Sequence, residues 1–367
     1  MLKNFFVTAE VNTHRQFEID FVKSVLILLM VLTHCYEYLS TPAVREGNGY
    51  YLFVTVVNNF VGGGACAYMM CMGIGIAYSR KRVPEEFIKR GFLLFLSGYA
   101  LNAVRFGIPF FFFFLSGRRP FSDIIGEIIA LDILQFAGLA FMLFGLLKKV
   151  RLPDWLIFVL ALLMSISGSF FRFIPMENQF VSAFLGLFIG TLNKAYQDGD
   201  GASGVFPLLN WFLIVVIGYL YGKILRRCND LERYYAVATP ISGAVVFIYL
   251  IVAIPYRLGL MQGDIFIFYH ISTPNVVLHF FNLVFLTGLY HYAAKVFSSG
   301  FKSKISVVSS NLNTIYWIQW VIIGWTLSVF LWFDRGYLGN SGLLLVGVLI
   351  FCVSVFLADR YNKLKKV

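Results

Sequence analysis

Ten stretches of apolar residues, each long enough to cross a bilayer, leave this chain very few folds to choose from. They fall at about 17–39, 51–78, 87–115, 123–147, 153–173, 205–225, 235–254, 274–297, 305–332 and 341–358. A hydrocarbon core is spanned by about 20 helical residues, and within it every backbone polar group must be bonded inside the protein. The expectation is therefore an all-α polytopic integral membrane protein of about ten transmembrane helices. It forms a single domain over 1–367, with no appended soluble domain. The run at 180–192 is too short to span and reads as a re-entrant or interfacial segment. The opening fifteen residues are polar and mixed, and the run that follows is spanning length, so no cleavable leader is expected.

Charge sets the expected orientation. With ten spans and both termini cytoplasmic, 22 of the 30 Lys and Arg residues lie on the inner side and 8 on the outer. If 180–192 also crossed, the split would become 14 to 16 and the usual inner excess of positive charge would vanish. The formal charge of +11 is thus read as topology, and nucleic acid is not an expected partner. Charged residues are only 13% of the chain, and mean hydropathy is +0.76, so membrane lipid is the expected surroundings. The five cysteines show no C-x-x-C spacing. No H-E-x-x-H or Cys/His cluster occurs, and no metal site is expected.

The ionisable residues that interrupt the apolar runs carry the functional information. In the first run, Asp20, Lys23 and His34 break an otherwise aliphatic stretch. Asp20 and Lys23 are helix-surface neighbours, and His34 lies about 16 Å further along nearly the same face. A charge near the middle of a membrane helix costs on the order of 2.5–3.5 kcal/mol on insertion scales, so such groups usually face a cavity or partner. Glu37 follows on the face of His34. Asn102 and Arg105 close the third span. Asp123, Glu127, Asp132 and Gln135 descend the fourth, Gln319 sits mid-way along the ninth, and His270 and His279 flank the start of the eighth. His34, Glu37, Asn102, Arg105, Asp132, His270 and His279 therefore share one level toward the outer face. For each a structural reading stands beside the chemical one: a bonded core histidine, an interfacial anchor, or a helix-to-helix hydrogen bond. The glycines Gly62, Gly63, Gly64, Gly73 and Gly75 of the second span either allow close helix packing or open a passage for a thin ligand.

Arg15, Asp20, Lys23 and His34 together resemble the [R/K]-x10-H signature that opens the acyltransferase-3 membrane proteins. Later segments resemble bacterial proteins similar to heparan-alpha-glucosaminide N-acetyltransferase. These segments are FVGGGACAYMMCMGIGIAYSRKR at 60–82, LDILQFAGLAF at 131–141, FPLLNWFLIVVIGYLYGKIL at 206–225 and NLNTIYWIQWVI at 311–322. The likeness runs over about residues 14 to 330. It implies a membrane O- or N-acyltransferase of the bacterial cytoplasmic (inner) membrane. Such enzymes move an acyl group, usually acetyl, from cytoplasmic acetyl-CoA or another acyl-CoA to a glycan or lipid-linked sugar on the far side. The family's essential histidine maps onto His34 and its basic partner onto Lys23. In the lysosomal eukaryotic branch the residue after x10 is typically Asn, and the histidine lies further along. Here no histidine occurs between 35 and 269.

On this reading His34 is a general base or carries the acyl group itself, with Glu37 or Asp132 orienting its ring. Lys23, Arg80, Lys81, Arg82 and Arg90 hold the phosphates of coenzyme A, although the last four also fit plain inner-side positive bias. Asn102, Arg105, His270 and His279 face the acceptor. Exposed aromatic residues would permit a homodimer without requiring one. A different class remains open: a proton-coupled transporter or flippase of a small polar or lipid-linked solute would also carry an intramembrane Asp/Lys/His set.

Overall fold

The computed structural model describes residues 5–45, 64–80, 83–171, 174–193, 201–202, 204–261 and 271–365. It is built almost wholly of helices. In chain order these are α1 (Phe17–Leu39), α2 (Pro42–Arg45), α3 (Ala65–Tyr78) and α4 (Pro84–Asn102). A π-helical turn (Ala103–Gly107) then runs directly into α5 (Ile108–Leu115). After these come α6 (Phe121–Ile129), α7 (Ile133–Lys149), α8 (Asp154–Gly168), α9 (Gln179–Gly186) and α10 (Leu208–Arg226). The chain ends with α11 (Leu231–Met261), α12 (Thr273–Ala293), α13 (Ser299–Ser310), α14 (Leu312–Phe333) and α15 (Asn340–Leu364). Among the described residues seven helical stretches are long and apolar enough to cross a membrane, the α4–α5 stretch counting as one, with α3 and α8 shorter apolar helices. The chain is an integral membrane protein.

The expected span at 123–147 is broken. Helix α6 ends at Ile129, and α7 begins at Ile133, after three intervening residues that end in Asp132. The physical reason is a capping box: Asp132 Oδ1 accepts the Ile133 N–H at 2.7 Å, while the Asp132 N–H donates to Gln135 Oε1 at 3.1 Å. Asn102 Nδ2 donates to the carbonyls of Ile128 (3.1 Å) and Ala130 (2.6 Å), tying off the end of α6. Broken helices survive in a membrane protein only where the freed backbone groups find such partners. The expected span at 305–332 likewise divides into α13 and α14, and the half of 51–78 before residue 64 lies outside the described residues. The segment at 180–192 contains only the short α9 and the start of a strand. That strand, β2 (Thr191–Asn193), pairs parallel to β1 (Ile174–Met176) and antiparallel to β3 (Gly201–Ala202).

Two helix pairs approach closely enough to exclude side chains. On α3, a Cβ at Gly73 would sit 2.7 Å from the Tyr219 backbone nitrogen of α10. Between α4 and α7, a Cβ at Gly91 would lie 2.6 Å from the Gly138 carbonyl. Helix α1 packs among α12, α13, α14 and α15, so its polar residues face protein rather than lipid. The segment before α1 is strapped across the end of α10. Val7, Val11 and Asn12 donate backbone N–H groups to Arg227 and Arg226 carbonyls, and buried Arg226 bonds Glu10 at 2.5 Å and the Ala77 carbonyl at 2.6 Å.

Candidate functional site

The centre of the bundle holds a polar cluster contributed by α1, the π-turn, the start of α7 and α14. The π-turn inserts one extra residue into the α4–α5 stretch and rotates Arg105 inward. Such bulges recur at functional sites. The turn is held by Trp325, whose indole N–H donates to the Val104 carbonyl at 3.0 Å, and by Gly324, which lies against the Arg105 backbone. Arg105 is only 5% exposed. Its Nη1 meets Asp132 Oδ2 at 3.0 Å, and the Tyr316 hydroxyl donates to the same oxygen at 3.0 Å. Asp132 therefore caps a helix with one oxygen and accepts from Arg105 and Tyr316 with the other.

His34 lies alongside this group. Its Nδ1 is within 3.3–3.4 Å of the Gln319 amide, its ring lies 4.0 Å from the Trp320 ring, and Tyr316 stands edge-on at 6.5 Å. The Arg105 guanidinium is 4.2 Å from the Trp320 ring centre, a cation–π contact. Tyr316, Gln319 and Trp320 occupy positions i, i+3 and i+4 of α14 and so share one face. This spacing is present in NTIYWIQW, but nothing in one sequence ties Gln319 to a residue 285 positions away.

The other candidates are placed as follows. Glu37 is half-buried one turn beyond His34. The Nδ1 partner of His34 is Gln319 rather than Glu37 or Asp132. Asn102 is buried and occupied with the carbonyls at the α6–α7 break. His279 is buried on α12. His270, Lys81 and Arg82 lie outside the described residues. Asp20 pairs with Arg15 Nε and accepts from Ser309 Oγ at 2.7 Å, so its partner is not Lys23. Lys23 makes no hydrogen bond or ion pair among the described residues, and it lines two cavities.

The larger cavity, about 480 Å³, runs along α7 from Ile133 and Leu134, the residues directly after Asp132, past Ala137 to Phe141. Arg90, stacked 4.9 Å over the Phe141 ring, and Lys23 supply its positive charge. Met72, Leu94, Ile133 and Leu134 give it apolar lining. Ser309, Ser310, Asn311, Asn313, Thr314 and Asn362 add uncharged hydrogen-bonding groups to its lining. The smaller cavity, about 250 Å³, is lined by Arg15, Lys23 and Arg80 against the single carboxylate of Asp20. It lies at the end of the bundle where α1 begins.

The two cavities offer room and positive charge for an elongated, anionic-headed ligand. No curated protein and no solved structure matches the chain. A family model described as heparan-alpha-glucosaminide N-acetyltransferase, catalytic, matches residues 15–254, well over half of the chain. The match includes His34, Arg105 and Asp132, while Tyr316, Gln319 and Trp320 lie beyond it. The chain belongs to the heparan-alpha-glucosaminide N-acetyltransferase catalytic family, a family of membrane acetyltransferases.

Proposed function

We propose that the protein transfers an acetyl group from cytoplasmic acetyl-CoA to an amine or hydroxyl of a glycan or lipid-linked sugar at the opposite face of a bacterial inner membrane. One observation carries the reading. A cavity lined by Lys23 and Arg90 also reaches Ile133 and Leu134, the residues directly after Asp132, and Asp132 accepts from Tyr316, which stands edge-on to His34. Ten spans with both termini inside keep the inner charge excess and put the start of α1 toward the cytoplasm.

His34 acts as the general base. With Nδ1–H donating to Gln319 Oε1, Nε2 keeps its lone pair and takes a proton from the acceptor. As that proton leaves, the acceptor nitrogen or oxygen bonds to the thioester carbonyl carbon, and the carbon–sulfur bond then breaks. The thiolate of coenzyme A recovers the proton from the imidazolium. Arg105 contributes positive charge to the site where oxyanion charge develops, and Asp132 and Tyr316 keep it in place. Glu37 lies on the acceptor side of His34.

The test uses purified protein in detergent with acetyl-CoA and a panel of amino-sugar and neutral glycosides, following free thiol and acetylated product. Transfer to at least one acceptor, with thermal protection by coenzyme A, is the expected result. No protection and no thiol release would overturn it and return the transporter reading.

A further inference from the structure

The two glycines of α3 that stand two residues apart do different work. Gly73 faces the α10 backbone, where a Cβ has no room. Gly75 faces open space: nothing lies within 4 Å of a Cβ built there. Gly75 also lines both cavities, and the only other described residue to do so is Lys23 of α1. The two cavities thus adjoin as lobes of one groove, at a saddle made by a missing side chain and a lysine that forms no ion pair among the described residues.

The lobes differ in chemistry. The smaller has three cations (Arg15, Lys23, Arg80) and one carboxylate already held by Arg15, which leaves a net positive lining suited to phosphate. The larger is amphipathic, lined by hydroxyl and amide side chains and by apolar groups. A linear chain bearing amides and methyls fits the second lobe, and a polyphosphate nucleotide head fits the first.

We infer that Gly75 is a specificity determinant for the donor. By leaving the saddle open it allows a thioester with a nucleotide head to lie across both lobes, phosphates on Arg15, Arg80 and Lys23, arm toward His34. This rests on the acyl-transfer reading above. A donor lacking the nucleotide occupies only the larger lobe and does not cross Gly75.

The experiment compares acetyl-CoA with S-acetylpantetheine on wild type, Gly75→Ala and Gly75→Leu, with thermal protection by coenzyme A as a second readout. Gly75→Leu is expected to lower kcat/KM for acetyl-CoA at least tenfold, to abolish protection by coenzyme A, and to leave S-acetylpantetheine within about twofold of wild type. Gly75→Ala should fall between. An unchanged kcat/KM for acetyl-CoA in a folded Gly75→Leu protein, or an equal fall for both donors, overturns the inference while acyl transfer stands. A wild-type protein that neither binds coenzyme A nor releases it overturns both.

Discussion

Replacing Asp132 by Asn tests the buried network directly, because it removes the charge and keeps the shape. Asn caps helices as well as Asp, so the start of α7 should not suffer. What is lost is the ion pair with Arg105, at 3.0 Å between side chains only 7% and 18% exposed. Removing one partner of such a pair leaves a buried charge uncompensated and typically costs about 3–5 kcal/mol. Tyr316 keeps an acceptor, though a weaker one. The expected loss for Asp132→Asn is therefore about 3–4 kcal/mol, and for Asp132→Ala about 1 kcal/mol more through the lost cap. Arg105→Met should also destabilise, by a few kcal/mol, since the Trp320 contact goes with the charge. Combined with Asp132→Asn, it removes the orphaned cation, and the double variant should be at least about 2 kcal/mol more stable than the sum of the singles. Equilibrium unfolding in mixed micelles, followed by tryptophan fluorescence, reads all four. Additivity to within about 0.5 kcal/mol would show that the two side chains do not depend on one another, and would refute the argument.

Other expectations follow from the same geometry. Gln319→Leu leaves Nδ1 of His34 without its partner and should lower kcat about tenfold or more with little change in the KM for donor, while Gln319→Glu, which still accepts from Nδ1–H, should recover most of the loss. Steady-state kinetics in detergent separates the two variants. On α3, Gly75→Ala should raise stability by about 0.5–1 kcal/mol, since Ala favours helix and the site is open. Gly73→Ala should lower it by about 1–3 kcal/mol, since its Cβ meets the α10 backbone. The opposite signs are read in one thermal-unfolding comparison.

The first helix was legible almost entirely. Its bounds, 17–39, follow from an apolar run of spanning length, and the shared face of Asp20, Lys23 and His34 follows from helical spacing. The break before α7 was less visible. Apolar content runs through it, and only the D-x-x-Q spacing of Asp132 and Gln135 marks a helix start. The π-turn that aims Arg105 has no signature in the residues themselves. Pairings between distant elements were beyond one sequence: Asp20 finds Arg15 and Ser309 rather than Lys23, and His34 finds Gln319. Periodicity fixes which way a side chain faces along its own helix, while its partner depends on how the other helices pack.

The central claim is that His34 performs the proton transfer in acyl transfer. The most direct measurement is the release of free coenzyme A from acetyl-CoA, with acceptor present, by wild type and His34→Ala of matched unfolding temperature. Loss of about 10²-fold or more in the variant is the predicted result. Retention of a quarter or more of wild-type turnover would contradict it.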